Sequence, residues 1–600
     1  MAQGIDRIRE YLAIHGASYT LRRLTQKGVQ RFFGTYDRRR RREQATQEEL
    51  ARQRAHQPPA GLISLVIPVY NTAPSMLEAL LQTIRAQTYQ NFEALLYDGC
   101  STRPETLEVI NGLSEPPFRV IRGERNLGIS GNTNEAVALA KGEYIALCDH
   151  DDLLAPDALW RVADCIACRH PDMIYTDEDR VTQDGRRYMD PHYKPDYCPD
   201  NLVSDNYICH LAVIRKSLFQ EVGGLRAGFD GSQDHDLFLR VAEKTGQIIH
   251  LPYILYSWRE NFSSASHLDL DTCLTNGCRA AVEHEARLGR GAQAVPVNKE
   301  IRLWYDVPRL AMIEAIVFGI SEEECQSALG ELAFRTDWPN LTGTILLVNE
   351  SDLNPGVSGR TKPVHLAKET ASSGFGLDPA IDSRKDTILP EPESGGSANE
   401  QENQGSALFR MINEAAASSE AEYLLLLDAR ITGMNRYFLR EMIMYAQRPD
   451  VAGVSPILTD RHGRITHAGF ALGLDSVAAC VNEGMLPRAG GWHDLMNKVH
   501  NVGAVSLCCQ LLRRENWIPL DDGFRGGLVS VEQALRQRVL DRVFVLTPHA
   551  QAVLPPTLLL LSGQRRDPAD VSRLRNKHPA PLSDPCYSSR FSRKKANYHY

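Results

Sequence analysis

Along the first third of the chain, short runs that are apolar on every position alternate with stretches whose apolar residues recur every three or four. "LISLVIPVYN", Leu62 to Asn71, is β-branched, apolar on both faces and interrupted by Pro68. This is the pattern of a central parallel strand covered by helices on both sides. Residues 75–87, "SMLEALLQTIRAQ", have helical spacing. Phe92 to Tyr97 predicts a second strand, Asn132 to Ala140 a helix, and Tyr144 to Cys148 a third strand. Strand, helix, strand, helix, strand predicts a doubly wound α/β half, in which ligands sit at the carboxyl ends of the strands. Asp98 falls at one such end and Asp149 and Asp151 at another.

The pattern then returns. "NEAVALAKGEYIALCD", Asn134 to Asp149, recurs as "NEAAASSEAEYLLLLD", Asn413 to Asp428, at an offset of 279 residues. Pro171-Asp172 and Gly185-Arg186 recur at 278, whereas Asn91 matches Asn340 at 249. The difference implies an insertion between Asn340 and Asn413. The Gly-, Ser-, Glu- and Pro-rich stretch 372–406 is its expected place and has the composition of a disordered segment. A repeat this long predicts two homologous domains. The predicted organisation is a basic helical segment at 1–57, a first domain at 58–300, a second at 301–556 and a tail at 557–600.

Charge changes the picture in one respect. Residues 1–55 hold 13 Lys/Arg against 6 Asp/Glu, so this arm carries +7 and the remainder −15 of a net −8. An acidic body argues against nucleic-acid binding. The arm, with five consecutive arginines at 38–42, reads either as a solvated charge run or as a peripheral contact with an anionic membrane surface. No run of 18 apolar residues and no apolar leader core is present, so neither a spanning helix nor a secretory signal is expected. Thirteen scattered cysteines read as reduced thiols in a cytosol. Cys165-x-x-Cys168 lacks a second ligand pair and is expected to be coincidental.

The chemistry concentrates in "ALCDHDDLLAPDAL", Ala146 to Leu159. Carboxylates this close repel one another and need compensation. On an extended chain Asp149 and Asp151 share a side, and oxygen ligands suit Mg²⁺ or Mn²⁺; Asp152 reads as the cap of the following helix. "GSQDHDLFLRV", Gly231 to Val241, puts Asp234 at the start of an amphipathic helix, as a cap or as a general base. In "YSWREN", Trp258 could stack on a sugar or nucleobase and Arg259 could bind a diphosphate.

Taken in order, "VIPVYN", "NFEALLYDGCST", "RNLGISGNTNEAVALAKGEYIALCDHDD", "IYTDEDRV", "GSQDHDLFLRV" and "YSWR" resemble the family 2 glycosyltransferases of the GT-A fold, of the bacterial O-antigen, rhamnan and capsular polysaccharide type. The match is strong over 58–300 and fades over 308–556. The resemblance implies two tandem GT-A units, each a mostly parallel doubly wound α/β sheet. It implies Asp234 as catalytic base and Asp149 and Asp151 as ligands of Mg²⁺ or Mn²⁺. It also implies nucleotide contacts at Pro68, Tyr70, Asn71, Asp98, Asn126, His150, Trp258 and Arg259, and an acceptor side at Asp177, Glu178, Gln233, His235 and Asp236. The partners implied are a nucleotide-sugar donor and a glycan- or lipid-linked acceptor, met in the cytoplasm or on the inner face of the membrane. Two departures stand out. The family often reads Asp-Asp-Gly-Ser where this chain has Asp98-Gly99-Cys100-Ser101, and relatives usually carry His where this chain has Ser257.

In the second copy Asp149-His150-Asp151-Asp152 becomes Asp428-Ala429-Arg430-Ile431. Ser530 falls at the place of Asp234 and Glu532 at that of Asp236, and "VIPVYN" erodes to "IVFGIS", Ile316 to Ser321. A catalytically dead copy is expected. The rival readings are a nucleotidyltransferase, which would want a Gly-rich basic loop where "PVYNTAPSM" stands, and a non-catalytic scaffold.

Overall fold

The computed structural model describes residues 35–260, 270–297, 300–308, 310–336, 338–348, 360–365, 406–474, 477–487, 491–555, 567–593 and 596–598. The expected disordered insertion, but for Ser406, lies outside them, as do residues 1–34 of the basic segment. The chain divides into two compact units. One comprises Met1–Tyr193, Ile208–Gln233 and Thr245–Leu270; the other comprises Lys194–Tyr207, Asp234–Lys244 and Asp271–Tyr600.

The first unit is built on one sheet of nine strands: β1 (Ile63–Val69), β2 (Phe92–Asp98), β3 (Phe118–Arg122), β4 (Tyr144–Leu147), β5 (Leu153–Leu154), β6 (Met173–Val181), β7 (Tyr188–His192), β8 (Ala212–Arg215) and β9 (Ile248–Arg259). The order is 3-2-1-4-8-6-9-5, with β7 added beside β6. Strands β3, β2, β1 and β4 are mutually parallel, and β8 runs antiparallel between β4 and β6. Every residue of β1 is buried, as expected for a strand with both faces covered. The helix Pro74–Arg85 starts with proline in its first turn and buries Leu77, Leu80, Leu81 and Ile84 on one face.

Two predicted boundaries move. The helix expected from Asn132 begins at Gly128. The Asn126 side chain accepts from Gly128 N at 3.0 Å and that of Asn132 from Leu127 N at 3.1 Å, so donors at the helix start are satisfied four residues early. Asp152 is not a helix cap. The helix begins at Ala158, and Leu153–Leu154 pair instead with Tyr256 and Ser257 of β9.

The second unit holds the repeat. Its main sheet runs Arg360–His365, Leu341–Leu347, Ile313–Gly319, Tyr423–Asp428, Cys509–Arg513, Val451–Thr459, Val543–Val553, His500–Val502. The register is preserved. Ile63 pairs Phe92 and Tyr144, and Ile313 pairs Leu341 and Tyr423. The copies differ at the outer edge, where β3 is parallel to its neighbour and Arg360–His365 is antiparallel to its own. The tail is part of this unit: the helix Pro568–Lys577 buries Leu574, and Tyr587, Phe591 and Tyr598 pack together, buried. All thirteen cysteines are free thiols. Among the described residues no helix is long and apolar enough to cross a membrane.

The arginine run is not uniformly solvated. On the helix Thr35–Glu43, Arg38, Arg41 and Arg42 are exposed, but Arg40 is buried within the first unit. Its Nε donates to Asp179 Oδ2 at 2.9 Å and its Nη2 to the Ile254 carbonyl at 3.2 Å. Tyr36 donates to the same carboxylate oxygen at 2.7 Å, and Ser257 Oγ donates to Asp179 Oδ1 at 2.5 Å. Burial pushes the Asp179 carboxyl up, and Arg40, Ser257 and Tyr36 pull it back. Arg40→Ala strands this carboxylate and is expected to lower the unfolding free energy by about 3–5 kcal/mol. Arg42→Ala, at an exposed position, should change it by no more than about 0.5 kcal/mol. Urea denaturation of the two variants measures the difference.

Candidate active site

The carboxylates at the end of β4 are arranged by a turn rather than an extended chain. Residues 150–151 form the turn, and Asp152 is wholly buried beneath it. Ligand atoms of Asp149, Asp152 and His210 lie within 4.8 Å of one another, a group that could hold a metal ion. Asp151 is not in that group. A turn brings residues three apart together, and here it brings Asp149 and Asp152 together; the expected role of Asp151 rests on the resemblance. His150 Nδ1 lies 3.8 Å from Asp151 Oδ1 and is buried with no hydrogen bond. His210, just before β8, sits with Nε2 3.7 Å from Asp149 Oδ2. Sequence reasoning missed it: a histidine preceding an apolar strand carries no distinctive signal.

Strand β9 supports this group. Tyr256 donates from its hydroxyl to Asp152 Oδ2 at 2.6 Å, accepts from Asp149 N at 3.1 Å, and stacks on His210 with ring centroids 4.7 Å apart. Arg259 N donates to Asp152 Oδ1 at 2.7 Å. Of its guanidinium, Nε donates to Asp151 O at 2.5 Å and Nη1 to Gln183 O at 2.9 Å, while the buried Nη2 has no hydrogen-bond partner among the described residues. Among the described residues, then, no arginine or lysine pairs with Asp149 or Asp152. Burial, then the Asp149 and Asp151 carboxylates, push the Asp152 carboxyl well above the usual range. Buried negative charge with oxygen and imidazole donors and no protein cation is a donor set that fits Mg²⁺ or Mn²⁺. Ser257 Oγ donates to Asp179 Oδ1 at 2.5 Å.

The residues expected at the nucleotide cluster around the ends of β1 and β2. Asp98 is buried, accepts from Ser101 N at 2.8 Å and lies 3.7 Å from Arg122 Nε. Asn71 accepts from Thr102 N and Arg103 N at 2.8 and 2.9 Å, tying the two loops together. Pro68 is buried in β1, and Tyr70 and Asn126 are exposed. Trp258 is half-buried, with the Arg180 guanidinium 4.8 Å over its ring. The altered "DGCS" has a steric reading. A Cβ at Gly99 would lie 2.4 Å from Asn132 Nδ2, so glycine is needed there, while Cys100 carries the left-handed backbone, φ 63°.

Asp234 belongs to the second unit, on the first turn of the helix Gln233–Ala242. Its Oδ1 accepts from His235 N and its Oδ2 from Asn206 Nδ2, both at 2.8 Å. Of the residues expected on the acceptor side, three are drawn into interior bonds instead. Asp177 bonds His250 at 2.8 Å, Asp236 bonds Arg240 at 2.7 Å, and His235, whose pKa burial lowers, bonds the Leu202 carbonyl at 2.6 Å. Glu178 is buried and holds His210 N at 3.0 Å, which makes it a support for the imidazole; Gln233 Oε1 caps Gly231 N at 2.7 Å.

The second copy answers the charge problem differently. Arg430, at the place of Asp151, donates from Nε to Asp428 Oδ1 at 2.8 Å and from Nη2 to Oδ2 at 2.5 Å. Ile431 is buried where the first copy has Asp152. Glu532 pairs Arg536 at 2.8 Å, as Asp236 pairs Arg240, and Ser530 stands at the place of Asp234.

A profile described as Glycosyl transferase family 2 matches residues 64–223. Over 189 residues the chain is 31% identical to the uncharacterized glycosyltransferase YwdF of Bacillus subtilis (strain 168), covering 30% of this chain and 68% of that protein. The chain belongs to the family 2 glycosyltransferases. It is also 34% identical over 473 residues to the uncharacterized protein y4gI of Sinorhizobium fredii, and 31% identical over 493 residues to the O-antigen biosynthesis protein RfbC of Myxococcus xanthus. These alignments cover 76% and 79% of this glycosyltransferase but 48% and 36% of the two proteins, so it spans about half of their length or less.

Mn²⁺ titration of this glycosyltransferase should report the geometry. Tyr256→Phe removes the donor to Asp152 and is expected to weaken Mn²⁺ binding about 10–100-fold. Asp149→Ala with Asp152→Ala should abolish it, and Arg430→Ala should leave it unchanged.

Proposed function

We propose that the chain is an inverting glycosyltransferase that moves a sugar from a nucleotide-sugar donor to a hydroxyl of a glycan- or lipid-linked acceptor in bacterial surface-polysaccharide synthesis. The observation that carries this reading is the pair of carboxylates at the end of β4, partly exposed Asp149 and buried Asp152, in contact with Tyr256 and His210 and unpaired with any lysine or arginine among the described residues. Membership of the family and a relative named for O-antigen biosynthesis support it. Thirteen free thiols fit a reducing compartment, and we assign the reaction to the cytoplasmic side.

Asp149, Asp152 and His210 would hold the divalent cation, and Asp151 is the ligand that the family resemblance adds. When bound, the ion neutralises charge on the diphosphate of the donor. Asp98 accepts from the nucleobase at the end of β2, and Trp258 offers a stacking face. Arg259 keeps the turn in place through Asp151 O and Asp152. Asp234 takes the proton of the acceptor hydroxyl; each of its oxygens accepts one hydrogen bond and retains a lone pair for it. Asp234 acting as the single base gives one displacement, with inversion. The second copy is catalytically silent, because its own Arg430 occupies the carboxylate that would meet a cation.

Nucleotide release from UDP-, dTDP- and GDP-sugars, with and without Mn²⁺, tests the reading. Wild-type protein should turn over at least one donor in the presence of metal, and Asp234→Asn should lower turnover about 10²–10⁴-fold. Asp151→Ala combined with Asp234→Ala should leave none. Silence toward every donor would favour a scaffold, and residual turnover in the double variant would return activity to the second copy.

A further inference from the structure

The second unit contains a chain of polar contacts that starts at the buried Lys498 and ends on Asp234. Asn206, whose Nδ2 holds Asp234 Oδ2 at 2.8 Å, follows Asp205 directly. Asp205 Oδ2 receives the ammonium of Lys498 at 2.6 Å. Lys498 comes from the second copy, just before the strand His500–Val502 that edges its sheet. It is buried, and a buried ammonium persists only when paired. Burial pulls its pKa down, but Asp205 and Glu300 more than offset this and hold it above the ordinary lysine value. Glu300 lies 3.0 Å from the same ammonium, and burial raises its carboxyl to about 8.

The same edge strand grips the helix Pro199–Ser204 that leads into Asp205. Asn501 N donates to Asn201 Oδ1 at 2.7 Å, Asp200 N donates to Asn501 Oδ1 at 3.0 Å, and Asn501 Nδ2 donates to Asp200 Oδ2 at 2.8 Å. Arg448 closes on Asp200 from the other side, at 2.5 and 3.2 Å. The helix in turn receives His235, the neighbour of Asp234, on its Leu202 carbonyl at 2.6 Å. Asp234 is therefore held twice, through Asn206 on its carboxylate and through His235 on its backbone, and both holds rest on residues of the second copy. These contacts exceed what is needed to cover a sheet edge. An edge can be blunted by one charge or one proline, whereas here reciprocal side-chain to backbone bonds fix the position of one short segment.

We propose that Lys498 is a positioning residue for the general base: the degenerate copy is retained as the frame that orients Asp234 through Asp205 and Asn206. This rests on the reading of Asp234 as the base. The test is steady-state transfer by the full chain, with nucleotide and Mn²⁺ binding measured on the same samples. Lys498→Met should lower kcat at least tenfold while donor KM and nucleotide binding stay within twofold of wild type. Lys498→Arg should recover at least half of the loss. Asn206→Ala should give a similar loss, and the double variant should be no worse than the more affected single variant, because both act along one path. The proposal is overturned if Lys498→Met retains kcat within twofold, if the two losses multiply, or if nucleotide binding is lost along with kcat, which marks a folding role. Asp234→Asn run in parallel separates the two readings. An active Asp234→Asn protein removes the base assignment itself, whereas an inactive one beside a fully active Lys498→Met protein removes only the positioning role.

Discussion

Negative charge buried at the end of a parallel strand is the constraint around which the first unit is organised. Asp152 has no exposure, two hydrogen bonds and two neighbouring carboxylates. Such a group is tolerated only if it is protonated or faces a cation. The surrounding structure keeps the site in that condition. Tyr256 and the Arg259 backbone satisfy the carboxylate as donors, and among the described residues the Arg259 guanidinium bonds carbonyls and makes no ion pair with Asp152. Strand β9 thus holds the site open to an ion where it could have closed it with an ion pair.

The repeat provides an internal control. The two sheets share the order and register of their inner strands, and the equivalent aspartates Asp149 and Asp428 stand at the ends of Tyr144–Leu147 and Tyr423–Asp428. One copy leaves its aspartate without a protein cation. The other supplies a guanidinium two residues later, bidentate and at short distance. Arg430 stands at the place of Asp151 and Ile431 at that of Asp152, so the aspartate of the second copy meets a guanidinium while its strand keeps the same pairing. The sheet depends on the apolar residues of the strand, and these differences lie in the turn after it.

The division into units gives the second copy a further part. Residues 194–207 and 234–244 lie in the sequence of the first copy yet belong to the compact body of the second. Removing the second copy would take Arg448 from the buried Asp200 and Lys498 from Asp205.

How far the sequence carried the argument depends on the range of the interaction concerned. The doubly wound pattern, the duplication, the missing ligands of the second copy and the carboxylates at strand ends are all properties of residues close together in the chain, because burial of a strand or a helix face imposes a period that composition alone displays. Which groups come together at the end of β4 was not legible there. A two-residue turn brings Asp152 beside Asp149, and His210, some sixty positions away, joins them because β8 lies beside β4 in the sheet. Arg40 reads as one of five equivalent arginines until Asp179 singles it out. The bond from Lys498 to Asp205 spans almost three hundred residues and has no local signature. Periodicity reports which face of an element is buried; only the packed chain decides which polar groups that burial forces into contact.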